Sequence, residues 1–128
     1  MKRKISIKGY QKKLEHMLRD KLIEERGRIC ELCRMERAEV ADHCFSRKVR
    51  KLFFEPANLT ILCHSCHFKK TNRMKSADLD IYTLVRLREG NEKFEEMYET
   101  ARDHKPFPDF SKRWYLEEME LKIRGENL

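Results

Sequence analysis

Residues 28–73 read RICELCRMERAEVADHCFSRKVRKLFFEPANLTILCHSCHFKKTNR, and the reading of this stretch decides the fold. Two C-x-x-C pairs bracket it, Cys30-Glu31-Leu32-Cys33 and Cys63-His64-Ser65-Cys66. A two-residue gap lets both sulfurs of a pair point at one ion, so two pairs supply four thiolates to a single tetrahedral zinc in a closed structural site. A redox pair and buried free thiols are the competing readings. Two pairs flanking a basic segment that carries histidines favour zinc. Cys44 is left over; an odd cysteine count argues against a disulfide framework and for a reducing compartment. Cys44 is expected to be a small buried apolar residue.

Between the pairs the gap is much longer than the roughly 15–20 residues of a plain zinc ribbon. It contains Asp42-His43 and, further on, Asn58-Leu59; His67 follows the last cysteine directly, and Lys69-Lys70 come next. Taken singly, each of these residues is ordinary. Their order is not: C-x-x-C, Asp-His, Asn-Leu, C-x-x-C-His, then a lysine pair.

Charge concentrates in the same place. The chain of 128 residues carries a net charge of +7. Residues 43–75 hold eight basic side chains (Arg47, Lys48, Arg50, Lys51, Lys69, Lys70, Arg73, Lys75) against Glu55 alone, while residues 76–128 are net acidic. A focused positive field suits a polyanion, most often nucleic acid. No apolar stretch approaches a membrane span, and the basic start Met1-Lys2-Arg3-Lys4 has no apolar run behind it, so neither a membrane protein nor a secretory signal is expected.

Outward from the motif, periodicity predicts helices. Leu14, Met17, Leu18 and Leu22 share one face of a helix over 10–27, with Gly27 as its stop. Residues 38–43 and 58–62 read as short strands, joined by a basic loop that ends at Pro56, and the second knuckle opens a helix to about residue 73. Further helices are predicted over 78–89 and 92–102. A last one is capped by Asp109 or Ser111 and runs through Ile123, with Trp114, Tyr115, Met119 and Ile123 as its buried side chains. The chain thus divides into an N-terminal helix (1–27), a zinc-bearing core (28–75) and a helical C-terminal extension (76–128), an α+β class.

The central stretch resembles the HNH endonucleases of the ββα-metal superfamily in their four-cysteine form. That resemblance implies two strands and a helix around one divalent metal, with a structural zinc held by Cys30, Cys33, Cys63 and Cys66. By position, His43 matches the general base and Asn58 the asparagine that braces the loop bearing it. His67 matches the final histidine, a ligand of the catalytic metal, and Asp42 matches the acidic residue that precedes the base and binds the same ion. The match covers about residues 28–73. The helical tail, with Tyr82, Leu84, Arg88 and Gly90 and then Trp114 to Glu120, looks like the NinG/Rap recombination nucleases of lambdoid phages. There a glycine often precedes the base histidine, where this chain has Asp42.

These resemblances imply a DNA phosphodiester hydrolase in a bacterial cytoplasm, phage-encoded and acting on branched or recombination-intermediate DNA. Chemistry supports the residue types. An imidazole titrating near neutrality can take a proton from water. A carboxylate and an imidazole suit Mg²⁺ or Mn²⁺ as Lewis acid and template, with the nitrogen ligand leaving metal identity open. Arg47, Lys48, Arg50, Lys51, Lys69, Lys70 and Arg73 are the expected phosphate contacts. The acidic, aromatic C-terminal helices either pack on the core or make a homodimer. The rival reading is a non-catalytic zinc module that binds DNA, which leaves Asp42, Asn58 and His67 without a task.

Overall fold

A computed structural model describes residues 5–71, 77–103 and 105–125, and within these the side chains other than those of residues 71 and 77–80. Arg73 lies outside the described residues.

Helix α1 spans Ile7–Arg26 and starts a turn earlier than periodicity alone predicts. Ser6 is the reason: its hydroxyl accepts the Gly9 N–H at 3.0 Å, capping the first turn. Gly27, at φ 95°, stops the helix in a backbone conformation that disfavours side chains with a Cβ. Tyr10, Leu14, Leu18 and Leu22 recur every four residues and are all buried.

Strands β1 (Val40–His43) and β2 (Leu59–Leu62) form the two-stranded antiparallel sheet, in the register Val40–Leu62, Ala41–Ile61, Asp42–Thr60, His43–Leu59. Asn58, expected in the strand, instead closes a 3-10 turn, Pro56–Asn58, one residue before it. Helix α2 (His64–Thr71) follows β2 directly, so the order strand, strand, helix is continuous around the second cysteine pair. Helices α3 (Ala77–Glu89), α4 (Asn91–Asp103) and α5 (Arg113–Ile123) complete the chain.

Side chains alternate across a strand, and here the alternation separates two cores. Leu59 and Ile61, with Ala41, face a cluster built from α1, α5, Phe53, Phe54 and Phe110. Leu62 faces a second cluster, made of the cysteines, Phe45 and Leu52 with Ile81 and Val85 of α3 and Phe94 and Met97 of α4. The two ends of the described chain meet, because α5 packs against α1. Each core therefore draws on both the cysteine-bearing segment and a flanking helical one.

Several expectations need correction. Trp114 is 53% exposed; α5 turns Leu116 and Ile123 inward, with Tyr115 and Met119 partly buried beside them, and Trp114 falls on the outer side. Asp109 and Ser111 lie in a separate 3-10 turn, and the residue preceding α5 is Lys112, which makes no side-chain cap. No helix among the described residues is long and apolar enough to cross a membrane.

Glu31, inside the first knuckle, is buried and ties the layers together. Its Oε2 accepts from Arg26 at 3.1 Å and from the Ile61 backbone N–H at 2.6 Å, and its Oε1 accepts from Arg88 at 3.0 Å. Arg26 also donates to the Leu59 and Pro56 carbonyls, and Arg88 to that of Ala57. Helices α1 and α3 are thus fastened to β2 from opposite sides through one carboxylate. Removing a partner from such a group leaves half-buried charge uncompensated. Glu31→Ala should lower unfolding free energy by about 3–5 kcal/mol in denaturant titrations; a loss below about 1 kcal/mol would show that the network is solvated.

Candidate functional site

The four knuckle cysteines converge. The sulfurs of Cys30, Cys33, Cys63 and Cys66 all lie within 4.8 Å of one another, with Cys33 and Cys63 3.9 Å apart. With Zn–S bonds of about 2.3 Å, a tetrahedron has edges of roughly 3.8 Å, so the arrangement could hold a structural zinc. Local geometry prepares the ligands. The Cys66 N–H points at the Cys63 sulfur at 3.4 Å, as the start of α2 allows. Backbone N–H groups of Glu36 and Met35 pull the Cys33 thiol down to about 7, whereas burial pushes Cys63 and Cys66 up. Cys44 is buried in the same core, as expected.

A second constellation sits along the outer edge of β1. A cavity of about 320 Å³ is lined by Asp42, His43, Ser46, Arg47, His67, Lys70 and Glu15. Strand alternation sends Asp42 toward α2 and His43 toward the aromatic cluster, so the cavity straddles the strand edge and both side chains reach it.

His43 is buried against Phe53, with ring centroids 4.7 Å apart, and its Nε2 lies 2.9 Å from the Phe53 carbonyl oxygen. A carbonyl only accepts, so Nε2 carries the proton and Nδ1 is left with the lone pair. Burial pushes the His43 pKa below the ordinary value of 6.5, with Arg47 adding to the effect; the Phe53 hydrogen bond, Glu15 and Asp42 oppose it. The imidazole is therefore neutral at pH 7.

Asn58 explains why the Phe53 carbonyl is where it is. Its side chain is fully buried and completely satisfied: Oδ1 accepts the Phe45 N–H at 2.7 Å, and Nδ2 donates to the carbonyls of Phe45 and Leu52 at 3.2 and 3.1 Å. Its own carbonyl accepts the Cys44 N–H at 2.8 Å. One amide thus ties the start of the loop from 44 to 57, at Phe45, to its middle at Leu52, the residue before Phe53.

Asp42 is buried on the α2 side. Its Oδ1 accepts from His67 Nδ1 at 3.0 Å, and its Oδ2 from Lys70 Nζ at 2.5 Å; Lys70 also donates to the His43 carbonyl. Cis ligands on an octahedron with bonds of about 2.1 Å stand roughly 3.0 Å apart, so Asp42 Oδ1 and His67 Nδ1 have the spacing of two ligands to one Mg²⁺- or Mn²⁺-sized ion. Among the described residues, the four cysteines are the only group of three or more His, Cys, Asp or Glu side chains close enough to share an ion. His43 is accordingly not a third ligand beside Asp42 and His67.

The basic residues divide. Lys48, Lys51 and Lys69 are exposed. The Arg47 guanidinium is 4.9 Å from the Phe53 ring and grips Glu15 with both nitrogens; that of Arg50 is 4.7 Å from the Phe110 ring. Lys70 is likewise committed to a carboxylate, that of Asp42, and is the less exposed of the two paired cations. Sequence reasoning missed Glu15 entirely. It lies on α1, far along the chain from Arg47, and nothing distinguishes it there from other charged helix residues. Compared with known proteins, the chain matches no protein-family model, no curated protein and no solved structure.

Asn58→Ala should cost about 2–4 kcal/mol of stability, since it removes three buried hydrogen bonds and orphans their partners; Asn58→Asp should be no better, because a carboxylate would face two carbonyls. Denaturant unfolding of the zinc-loaded variants checks this. Zinc affinity should fall as pH falls throughout the range below about 9, because binding must strip protons from the raised thiols of Cys63 and Cys66, and more steeply below about 7, where Cys33 protonates as well; competition titration with a chromophoric chelator measures it.

Proposed function

We propose that the protein is a metal-dependent endonuclease of the HNH type that hydrolyses DNA phosphodiester bonds. The observation that carries this reading is the cavity in which a neutral, oriented imidazole, His43, meets the Asp42–His67 pair across one strand edge. His43 Nδ1 takes the proton of the attacking water, while the Phe53 carbonyl holds the ring in the one tautomer that leaves Nδ1 free. A bound Mg²⁺ or Mn²⁺ would supply Lewis-acid stabilisation of the phosphoryl oxygens. Asp42 and His67 would hold that ion. Asn58 acts at a distance, through the loop that aims the carbonyl.

DNA is the proposed partner because the net positive charge concentrates in residues 43–75, the segment that also carries His43 and His67. Arg47, Lys48, Arg50, Lys51 and Lys69 can neutralise flanking phosphates, which makes affinity fall steeply as salt rises. Branched or recombination-intermediate DNA of phage origin is the finer proposal and rests on the resemblance of the C-terminal part alone. One observation favours the rival, a non-catalytic zinc module that binds DNA: the Lys70 ammonium already neutralises Asp42.

Incubation with plasmid and with linear, flap and four-way-junction DNA separates the readings. Cleavage should require Mg²⁺ or Mn²⁺ and drop at least about 100-fold in His43→Ala, with zinc content and circular dichroism unchanged. Undiminished cleavage by that variant removes His43 as the base, and no cleavage by the wild type under any of these conditions leaves the binding module.

The pH profile gives an independent check. Burial favours the neutral form of His43, so the base stays deprotonated below pH 6.5 and protonates only at its lowered folded value. The acid limb of kcat/KM should therefore have its midpoint below 6.5; a midpoint at or above 6.5 contradicts the assignment.

A further inference from the structure

Lys70 stands out among the basic residues. It is 14% exposed at its side chain, and its Nζ is held by two oxygens of β1, the Asp42 carboxylate at 2.5 Å and the His43 carbonyl. Asp42 itself is buried, and its other oxygen engages His67. An ammonium bound by a carboxylate and a carbonyl is a monovalent cation in a site of hard oxygen donors. The same carboxylate is the one that would bind a divalent ion. Two cations cannot both take full advantage of one buried carboxylate, because each reduces the field felt by the other.

We propose that Lys70 is the resident cation of the hydrolytic site, competing with the divalent metal for Asp42 and coupling metal binding to DNA. This rests on the metal-nuclease reading above. Without DNA, Lys70 neutralises Asp42 and weakens metal binding. A DNA phosphate at the cavity offers the ammonium an alternative anion, draws it off Asp42 and so raises metal affinity. Linkage then requires that metal raise DNA affinity by the same factor. The site would load its metal chiefly when substrate is present, which limits idle hydrolytic activity.

The test is a Mn²⁺ titration of the zinc-loaded full chain, followed by the loss of the free-ion electron-paramagnetic-resonance signal. It uses the non-cleaving His43→Ala background, with and without a short duplex DNA. Asp42→Asn identifies which binding belongs to this site. Lys70→Gln should tighten Asp42-dependent Mn²⁺ binding about tenfold without DNA and abolish the further tightening that DNA produces in its parent. Lys70→Arg, which keeps the charge, should stay within about threefold of the parent, and it serves the comparison if Lys70→Gln loses its fold. Asp42-dependent binding that is equal or weaker in Lys70→Gln, or a Lys70→Arg affinity tenfold tighter than the parent, overturns the role of Lys70 and leaves the nuclease reading intact. No Asp42-dependent Mn²⁺ binding in any of these proteins, with or without DNA, overturns both.

Discussion

The register of one short hairpin is the constraint on which the rest depends. With Asp42 opposite Thr60 and His43 opposite Leu59, successive side chains of β1 go to different faces. A slip by one residue would turn over one strand relative to the other, either driving Asp42 into the apolar cluster of α1 and α5 or turning Leu59 and Ile61 toward the cysteines. A carboxylate buried without partners is expensive, so the slipped pairing is strongly disfavoured. Four residues per strand cannot enforce this alone. The register is pinned from outside the sheet, by the Asn58 carbonyl on the Cys44 N–H and by Glu31 on the Ile61 N–H.

The same hairpin has an apolar cluster on each side, and this arrangement suits a chain of this size. A small domain buries a limited fraction of its surface and commonly needs a staple. Here the cysteine cluster could supply one on the α3–α4 side, while the Glu31 carboxylate joins Arg26 and Arg88 across the sheet. The first knuckle therefore has two tasks. Cys30 and Cys33 present sulfur, and Glu31 between them reaches back to hold β2.

Electrostatics in the cavity follow from partners contributed by separate elements. Asp42 of β1 meets His67 and Lys70 of α2, three residues apart on one helical face. Arg47 of the loop meets Glu15 of α1. Each acidic group in the cavity is matched by a cation, and residues 43–75, which supply most of its lining, are net positive in sequence. Burial of His43 against the Phe53 ring favours its neutral form, the form that the proposed proton abstraction requires.

Much of this was legible in the residues themselves. The spacing of Cys30, Cys33, Cys63 and Cys66 announced a four-sulfur cluster, because a C-x-x-C turn can aim both sulfurs at one point whatever surrounds it. Leucines every four residues announced α1 in the same way. Asn58, His43 and His67 could be singled out by order, but their geometry could not. Which ring nitrogen of His43 is free depends on the carbonyl of Phe53, a backbone atom in every residue and therefore silent in sequence. Lys70 read as one more phosphate contact, and only the packing of α2 against β1 turned it toward Asp42. Trp114 read as core because helical periodicity finds an apolar face without saying how wide the neighbouring helix is. Glu15 gave no signal at all. Local chemistry is written in local spacing; pairings between distant elements exist only once the two cores have closed on the hairpin.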